Sequence, residues 1–290
     1  MRVVEIQNGL LLEDVQHFDA RNIFECGQCF RWKKEADDSY TGVAYGKVLN
    51  VKSDYDHGTV VLNNTTREDF EEIWYSYFDL GRDYGSIKEA LAQDEILKSA
   101  IEYGRGIRIL NQEPWELLIS FIISANNNIP RISKSIDALS QMFGEAIKYS
   151  GKLYYSFPAV NKLGQAELKQ IDMCGTGYRC KYLYQTSRMI NSGEIDLEAI
   201  SKLRTEEAKK ELLRLSGVGP KVADCILLFS MQKHDTYPID VWVKRVTEHF
   251  YIHRDVSMMQ IQEFAKERFG KLAGFAQQYL FYFAREQKIK

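Results

Sequence analysis

A lysine stands at an unusual place in the stretch LSGVGPKVADC, residues 215 to 225. Lys221 follows two glycines and a proline and opens an apolar helical pattern, at a position where the helix dipole favours a carboxylate over a cation. An amine held there among apolar neighbours is more easily neutral, and a neutral amine can attack a carbon centre and form a Schiff base. Cys225 lies one helical turn further on the same face. Taken alone, the position fits a solvated surface lysine better than a nucleophile.

An aspartate follows nineteen residues after this lysine, in TYPIDVWVKRV. Pro238 marks a loop, and the spacing of Trp242, Val246 and Phe250 predicts a helix with these three side chains as its buried stripe. Asp240 then stands at the N-cap position, where most aspartates serve only as caps. A carboxylate at the mouth of a cleft can also stabilise a developing cation, which is the partner that a nucleophilic amine needs.

Two amphipathic helices must position these residues. Apolar residues have helical spacing in two segments, TEEAKKELLRL and KVADCILLFSM. The short turn Ser216-Gly217-Val218-Gly219 joins the two segments. A helix-hairpin-helix is therefore predicted over residues 205 to 231. The second helix begins with Pro220 and leaves uncovered backbone N–H groups at its positive end. Such an end binds anions, and a DNA phosphate is the natural ligand. For a lone Gly-Val-Gly, a tight turn without any ligand is the simpler interpretation.

The rest of the chain divides into a β-rich and a helical part. In the first eighty residues, the runs QCFRWK, YTGVAYG, KVLNVKS and TVVLN alternate with turn residues, which predicts an antiparallel meander. From residue 67 onward the spacing is mostly helical and is clearest in PWELLISFIISA and RISKSIDALSQMF. The three amides of Asn126 to Asn128 separate these two helices, where they either cap helix ends or face a ligand. The predicted fold class is α+β.

Composition bounds the function only loosely. The 290 residues are 45% hydrophobic with a net charge of −2, so any DNA-binding surface must be local. Ten cations lie in the middle and late helices and predict one basic face: Lys169, Arg179, Lys181, Arg188, Lys209, Lys210, Arg214, Lys221, Lys244 and Arg245.

The five cysteines form no even framework and are expected to be reduced. A four-sulfur metal site could in principle form from two pairs of cysteines, Cys26 with Cys29 and Cys174 with Cys180. Because no histidine joins them, two separate pairs of thiols are the better interpretation. No segment has the length and apolarity of a membrane span, and the acidic residues near the start exclude a signal-peptide core.

Five separated motifs together resemble a known family. Their order is that of the 8-oxoguanine branch of the helix-hairpin-helix, Gly/Pro-Asp DNA glycosylase superfamily. The motifs are SANNNIPRI, GTGYRCKYL, GVGPKVADC, PIDV and GFAQQYLF. A sixth segment, CGQCFRW, extends the resemblance to the N-terminal sheet. The resemblance implies a sheet domain over 1–82 and a helical domain over 83–290. In the latter, two subdomains flank a cleft, a middle one over about 110–230 and a second over about 83–109 plus 232–290.

The resemblance also implies a chemistry and a substrate. Lys221 would attack C1′ of the damaged nucleotide, displace the base and form a Schiff base, and Asp240 would stabilise the cationic sugar. Because the Schiff base can eliminate the 3′ phosphate, both glycosylase and AP lyase activity are implied. The reaction requires the base outside the duplex stack. The implied partner is double-stranded DNA that contains 8-oxoguanine opposite cytosine. The implied process is base excision repair, and the protein is expected to act as a monomer.

Site residues are implied by the same motifs. In the base pocket, the Gly27 carbonyl would accept a hydrogen bond from the N7–H of the oxidised purine, and Gln277 would bind its Watson–Crick edge. Phe281 and Cys225 would lie on the two faces of the ring. Phe229 and Trp242 would complete the walls of the pocket.

The same motifs imply contacts with the DNA duplex. Asn126 would fill the space that the base has left, and Tyr178 would insert beside it. Arg131 and Arg179 would bind the orphaned cytosine. The backbone amides of Gly217 and Gly219 would bind a phosphate.

Departures from the family pattern leave some points open. Trp242 and Ala284 replace a histidine and its acidic partner, which puts base affinity and opposite-base preference in doubt. The last cysteine is Cys225, so the iron–sulfur cluster of another branch is not expected, although a monovalent or divalent cation at the hairpin-phosphate contact is left open. The expected location is cytoplasmic at the nucleoid in a prokaryote and nuclear in a eukaryote.

The sequence is also compatible with two alternative functions. One is a glycosylase of the same fold whose preferred substrate is another oxidised or ring-opened purine, and the other is a non-catalytic DNA-binding module. Glycosylases for alkylated bases lack the hairpin lysine, so Lys221 argues against that class.

Overall fold

The computed structural model describes residues 1–288 and begins with a six-stranded antiparallel sheet. Its strands lie in the order β1-β2-β6-β5-β4-β3. Their bounds are β1 Arg2–Ile6, β2 Gly9–Glu13, β3 Lys33–Lys34, β4 Tyr40–Ala44, β5 Lys47–Asp54 and β6 Thr59–Asn63. Strands β3 to β6 form the predicted meander, and a hairpin of β1 and β2, which the sequence had not indicated, pairs with β6 through Leu10 and Leu62.

The prediction of a strand over QCFRWK was wrong. Only Lys33 and Lys34 pair with β4, and the preceding residues form an irregular link after helix α1, Ala20–Glu25. Gly27 has a φ of +83° there, and the buried Gln28 amide donates to the carbonyl of Arg108 at 2.8 Å. Gln28 Oε1 also accepts from Leu110 N at 2.9 Å. These long-range bonds replace the strand pairing of the segment.

Helices form most of the remaining chain. Their bounds are α2 Arg67–Asp69, α3 Tyr75–Tyr77, α4 Tyr84–Leu91, α5 Glu95–Tyr103, α6 Pro114–Ser124, α7 Ile129–Phe143, α8 Val160–Gly164, α9 Leu168–Met173, α10 Cys180–Asn191, α11 Leu197–Lys202, α12 Thr205–Leu212, α13 Pro220–Ser230, α14 Val241–Thr247, α15 Met258–Phe269 and α16 Ala273–Glu286. Short π segments over Phe70–Trp74 and Glu248–Ile252 extend α3 and α14, and 3₁₀ turns over Gly177–Arg179 and Gly270–Leu272 lead into α10 and α16. The predicted order of an antiparallel sheet followed by a helical region is confirmed.

The clearest helical patterns gave the expected helices, with two exceptions nearby. Helices α6, α7, α12 and α13 lie where the spacing placed them, and Asn128 caps α7 by accepting from Arg131 N at 3.1 Å. A small hairpin of β7, Ala146–Tyr149, and β8, Lys152–Tyr155, was not predicted. On α14, Val246 is buried as predicted, but Trp242 and Phe250 are only half-buried. The other buried side chains are Val243 and Thr247, so the predicted stripe was right at one of its three positions.

Two hydrophobic clusters form the interior. The first lies between the sheet and helices α1 to α3, around Leu12, Ile23 and Trp74. The second lies among the helices from α4 to α16 and contains Leu118, Ile226 and Leu280. The boundaries proposed for a sheet domain and two helical subdomains stay a prediction. Within residues 1–288, no helix is both long and apolar enough to cross a membrane.

Candidate active site

The hairpin between α12 and α13 packs against helix α10. Gly217 has a φ of +81°, and a Cβ atom at this position would lie 2.7 Å from the Cβ of Tyr182. Thr186 Oγ1 on α10 donates to the carbonyl of Ser216 at 2.8 Å. Gly217 is therefore required by both backbone conformation and packing. The turn is fixed against the helical region before any ligand binds.

The other glycine of the hairpin has a different role. Gly219 has a φ of −94°, which any residue can adopt, and a Cβ there would meet no heavy atom within 4 Å. Gly219 is the N-cap of α13 without a side-chain cap, and it is exposed together with Pro220. The first N–H groups of α13 consequently remain open to solvent, where a backbone phosphate could approach them.

Lys221 lies above an aromatic side chain that sequence reasoning missed. Its Nζ is 4.9 Å from the ring centroid of Phe121 on α6, and Phe121 in turn stacks on Phe229 at 5.9 Å. The ring face favours a cation, so Phe121 also holds the amine in place. Phe229, which was predicted to line the base pocket, is buried against Phe121, and its place in the pocket stays a prediction. The apolar face of α6 was the signal available in the sequence.

Cys225 lies one turn after Lys221 on α13, as the spacing predicts. Its thiol is buried, close enough to Lys221 for the charge of the amine to act on it. Burial raises the pKa of Cys225 to about 11, against the opposing effect of the Lys221 charge. The thiol therefore stays protonated at neutral pH and acts as a polar wall beside the amine rather than as a thiolate.

Asp240 combines a structural contact with a position beside the amine. Its Oδ1 accepts from Val243 N at 2.8 Å, so the predicted N-cap of α14 is present. Burial raises the pKa of Asp240 above its ordinary value, and the Val243 N–H and the charge of Lys221 partly oppose that rise. The charges of Lys221 and Asp240 are therefore near enough to interact, and Cys225 lies within reach of both. This group of residues contains an amine, a neutral thiol and a half-buried carboxylate.

Three predicted pocket residues form a second group. The Gly27 turn lies against α16, because a Cβ on Gly27 would be 3.0 Å from the ring edge of Phe281. Gln277, one turn before Phe281, is buried, and its Oε1 accepts no hydrogen bond from another protein group. Gln278 donates to the carbonyl of Cys26 at 2.9 Å and fixes the turn to the helix. Trp242 lies after Asp240, with the Arg245 guanidinium 5.4 Å from its ring centroid.

The residues predicted to contact the DNA duplex lie on one loop and the helices beside it. Asn126 is exposed with a φ of +50°, and Tyr178 is 56% exposed. Arg131 is exposed in the first turn of α7. Arg179 is buried instead, and it donates to the carbonyls of Ala125 at 2.5 Å and Asn126 at 2.8 Å. In this state Arg179 holds the shape of the Asn126 loop.

The predicted basic face is reduced by internal ion pairs. Lys209 pairs with the buried Asp224 at 2.7 Å, Lys244 with Asp255 at 2.7 Å, and Arg214 with Glu211. These cations contribute less to a long-range field than their number suggests. Any attraction for DNA must rest on the other cations and on the start of α13.

No metal centre is formed by the part of the chain that the structure covers, residues 1–288. That part contains no group of three or more His, Cys, Asp or Glu side chains arranged to hold a metal ion. The five cysteines are buried free thiols, so the four-sulfur alternative finds no support.

Comparisons with known proteins place the chain among DNA repair enzymes. Residues 10–118 match the model of the 8-oxoguanine DNA glycosylase N-terminal domain, and residues 119–271 match that of the HhH-GPD superfamily of base excision DNA repair proteins. A probable N-glycosylase/DNA lyase of Methanothermobacter thermautotrophicus is 34% identical over 79% of this chain and 78% of its own length. The N-glycosylase/DNA lyase OGG1 of Arabidopsis thaliana is 30% identical over 89% of this chain and 75% of its own.

A solved structure is similar over the whole chain. The 8-oxoguanine glycosylase/lyase of Clostridium acetobutylicum, in complex with double-stranded DNA containing cytosine opposite 8-oxoguanine, is 46% identical with a TM-score of 0.97. The match covers 100% of this chain and 99% of that one.

Proposed function

Since the chain belongs to the HhH-GPD superfamily, in its 8-oxoguanine DNA glycosylase branch, we propose that it is a bifunctional DNA glycosylase and AP lyase that excises 8-oxoguanine. One observation carries the proposal: the amine at the uncapped start of the hairpin helix lies near a buried neutral thiol and within range of the charge of the half-buried Asp240 carboxylate.

This group of residues supports a nucleophilic displacement at C1′. Lys221 Nζ attacks C1′ while the bond from C1′ to N9 of the base breaks, and positive charge develops on the sugar. The carboxylate of Asp240 stabilises this charge because it is half-buried and held in place by its hydrogen bond from Val243 N. Opening of the sugar ring gives a Schiff base. Loss of a C2′ proton then breaks the C3′–O bond and releases the 3′ phosphate, which is the lyase step.

The second group of residues supports recognition of the extruded base. The Gly27 carbonyl is the proposed acceptor for N7–H, a donor that guanine lacks, and Gln277 Oε1 is the proposed acceptor for the Watson–Crick edge. Phe281 and Cys225 are proposed as the two walls around the ring, with Trp242 beside them. A buried acceptor left unpaired costs about 1–3 kcal/mol, which corresponds to roughly ten- to hundredfold discrimination against guanine.

The remaining proposals concern the duplex. We infer that Asn126 and Tyr178 occupy the site of the extruded base, that Arg131 and Arg179 contact the opposite cytosine, and that the N–H groups after Gly217 and Gly219 bind a phosphate. A cation could bridge that phosphate to the hairpin. The enzyme is proposed to act as a monomer on DNA, at the nucleoid or in the nucleus, without an organic or iron–sulfur cofactor.

A trapping experiment tests the chemistry. Borohydride reduces a Schiff base to a stable amine, so the wild type should become covalently linked to an 8-oxoguanine:cytosine duplex. Lys221→Gln should give no linked product, whereas Lys98→Gln, which removes an exposed lysine on α5, should be trapped like the wild type. A wild type that is never trapped would favour a non-catalytic DNA-binding module, and trapping of Lys221→Gln would assign the nucleophile elsewhere.

A lesion panel tests the substrate. Single-turnover rates on 8-oxoguanine, on a ring-opened purine and on guanine, each opposite all four bases, separate the proposed substrate from the alternative one. We expect the highest rate on 8-oxoguanine opposite cytosine. A faster reaction on the ring-opened purine would assign that lesion as the preferred substrate of the same site.

A further inference from the structure

Two buried polar atoms of helix α16 have no hydrogen-bond partner. Across residues 1–288, five buried side-chain atoms lack a partner, and two of them are Gln277 Oε1 and Arg285 Nη1. These side chains are eight residues apart on the helix, with Phe281 midway between them, so the three lie on one face. The proposed base wall is thus flanked by an unpaired acceptor on one side and an unpaired donor on the other.

The guanidinium of Arg285 is fixed beside the Gly27 turn. Its Nη2 donates to the carbonyl of Glu25 at 2.6 Å, and its Nε donates to Glu286 at 2.9 Å. Its Cζ is 5.4 Å from the ring centroid of Phe281, and a Cβ on Gly27 would lie 3.1 Å from Nη1. The unpaired N–H group therefore lies at the Gly27 end of the Phe281 ring, held by bonds from the other nitrogens.

The chemistry of the oxidised purine offers a matching acceptor at that end. In 8-oxoguanine, C8 is bonded to both N7 and N9 and carries the O8 carbonyl, so O8 lies next to the N7–H that Gly27 is proposed to accept. The Watson–Crick edge lies on the other side of the ring system, toward Gln277. We propose, on the basis of the function proposed above, that Arg285 Nη1 donates to O8 and is a further catalytic residue.

Such a contact becomes stronger as the base leaves. When the bond between C1′ and N9 breaks and Lys221 bonds to C1′, the electron pair of the broken bond goes to N9. It is shared with O8 through the N9–C8–O8 system, so negative charge grows on O8. A preorganised cationic donor at O8 stabilises that charge in the transition state. The base then takes up the proton that the Lys221 nitrogen releases, which leaves a neutral product.

Two assays on the same enzyme preparation, base excision and cleavage at a preformed abasic site, distinguish a catalytic role of Arg285 from a structural one. In single-turnover assays, Arg285→Leu should lower the excision of 8-oxoguanine about ten- to hundredfold, the effect of losing one charge-assisted bond in a transition state. Cleavage at a preformed abasic site needs no base and should stay within about twofold of wild type. Arg285→Lys, which keeps the charge, should recover part of the loss. Arg105→Leu removes an exposed arginine that stacks on Tyr55 and should change neither rate.

Each other outcome overturns the assignment. Equal losses in both reactions would show that Arg285 only supports the fold around Glu25, and an unchanged excision rate would show that O8 is not contacted. If Arg285→Leu does not fold, Arg285→Lys and Arg285→Gln decide: similar losses for the two variants would exclude a role for the charge. Failure of the wild type to excise 8-oxoguanine would instead refute the proposed function itself.

Discussion

Replacing Asp240 by asparagine and by alanine separates the two roles of this side chain. As an N-cap, its Oδ1 accepts from Val243 N at 2.8 Å, and the Oδ1 of asparagine can do the same. As a half-buried carboxylate within range of the Lys221 charge, it has a raised pKa. Asparagine keeps the cap and removes the charge, whereas alanine removes both.

The two variants should differ in melting temperature. A raised carboxyl pKa means that the folded state favours the neutral form, so ionisation of Asp240 weakens the fold as the pH rises through the folded-state pKa. A neutral amide avoids this cost, and we expect Asp240→Asn to unfold at or above the wild-type temperature at pH 7. Asp240→Ala removes the same charge but also loses a cap worth about 0.5–2 kcal/mol. At about 2–4 °C for each kcal/mol, it should melt a few degrees below Asp240→Asn.

The expected activities do not differ. Both variants lack the charge that stabilises the cationic sugar, so single-turnover excision of 8-oxoguanine should fall about 10²- to 10³-fold in each. Asp196, the exposed N-cap of α11, gives the matched control: Asp196→Ala should lower the melting temperature and leave excision unchanged. Our reasoning fails if Asp240→Asn melts well below the wild type, or if it retains the excision that Asp240→Ala loses.

Four further predictions rest on single residues of the structure. The rate of base excision should rise with pH through a pKa above the ordinary value for aspartate, because burial raises the pKa of Asp240 and only its carboxylate stabilises the sugar cation; a pH–rate profile measures this. Burial raises the pKa of Asp224 to about 6, so the free energy of unfolding should decrease by up to about 3 kcal/mol as the pH rises from 3.8 to 6, and denaturant titrations of Asp224→Asn should show a weaker dependence. Gly217→Ala should destabilise the protein by at least about 1–2 kcal/mol because of its positive φ. Gly219→Ala should instead keep the melting temperature but weaken DNA binding in low salt, since its Cβ fills only the space proposed for a phosphate.

Local patterns predicted much of the helical part. The helices around the hairpin were predicted from the spacing of apolar residues and from the order Gly, Pro, Lys at the start of α13. The Asp240 cap was predicted from its position before an apolar pattern. These features depend on neighbours in the chain, so the sequence reports them directly.

Long-range contacts explain the wrong and missing predictions. The link around Gly27 has an apolar and aromatic composition typical of a strand, but its conformation is set by Gln28 bonds to Arg108 and Leu110, some 80 positions away. Phe121 and Arg285 acquire their positions only when helices α6 and α16 pack against the hairpin and the Gly27 turn. A strand pattern or a helical period cannot reveal such partners.

The buried position of Arg179 has a consequence for how opposite-base preference can evolve. Its guanidinium donates through Nε and Nη2 to the carbonyls of Ala125 and Asn126, which leaves Nη1 for the proposed contact with the orphaned cytosine. A substitution of Arg179 would therefore disturb the loop together with that contact. Arg131 is exposed at the start of α7, so a substitution there would change only the contact with the base. Opposite-base preference should accordingly change at position 131 with the least cost to the loop.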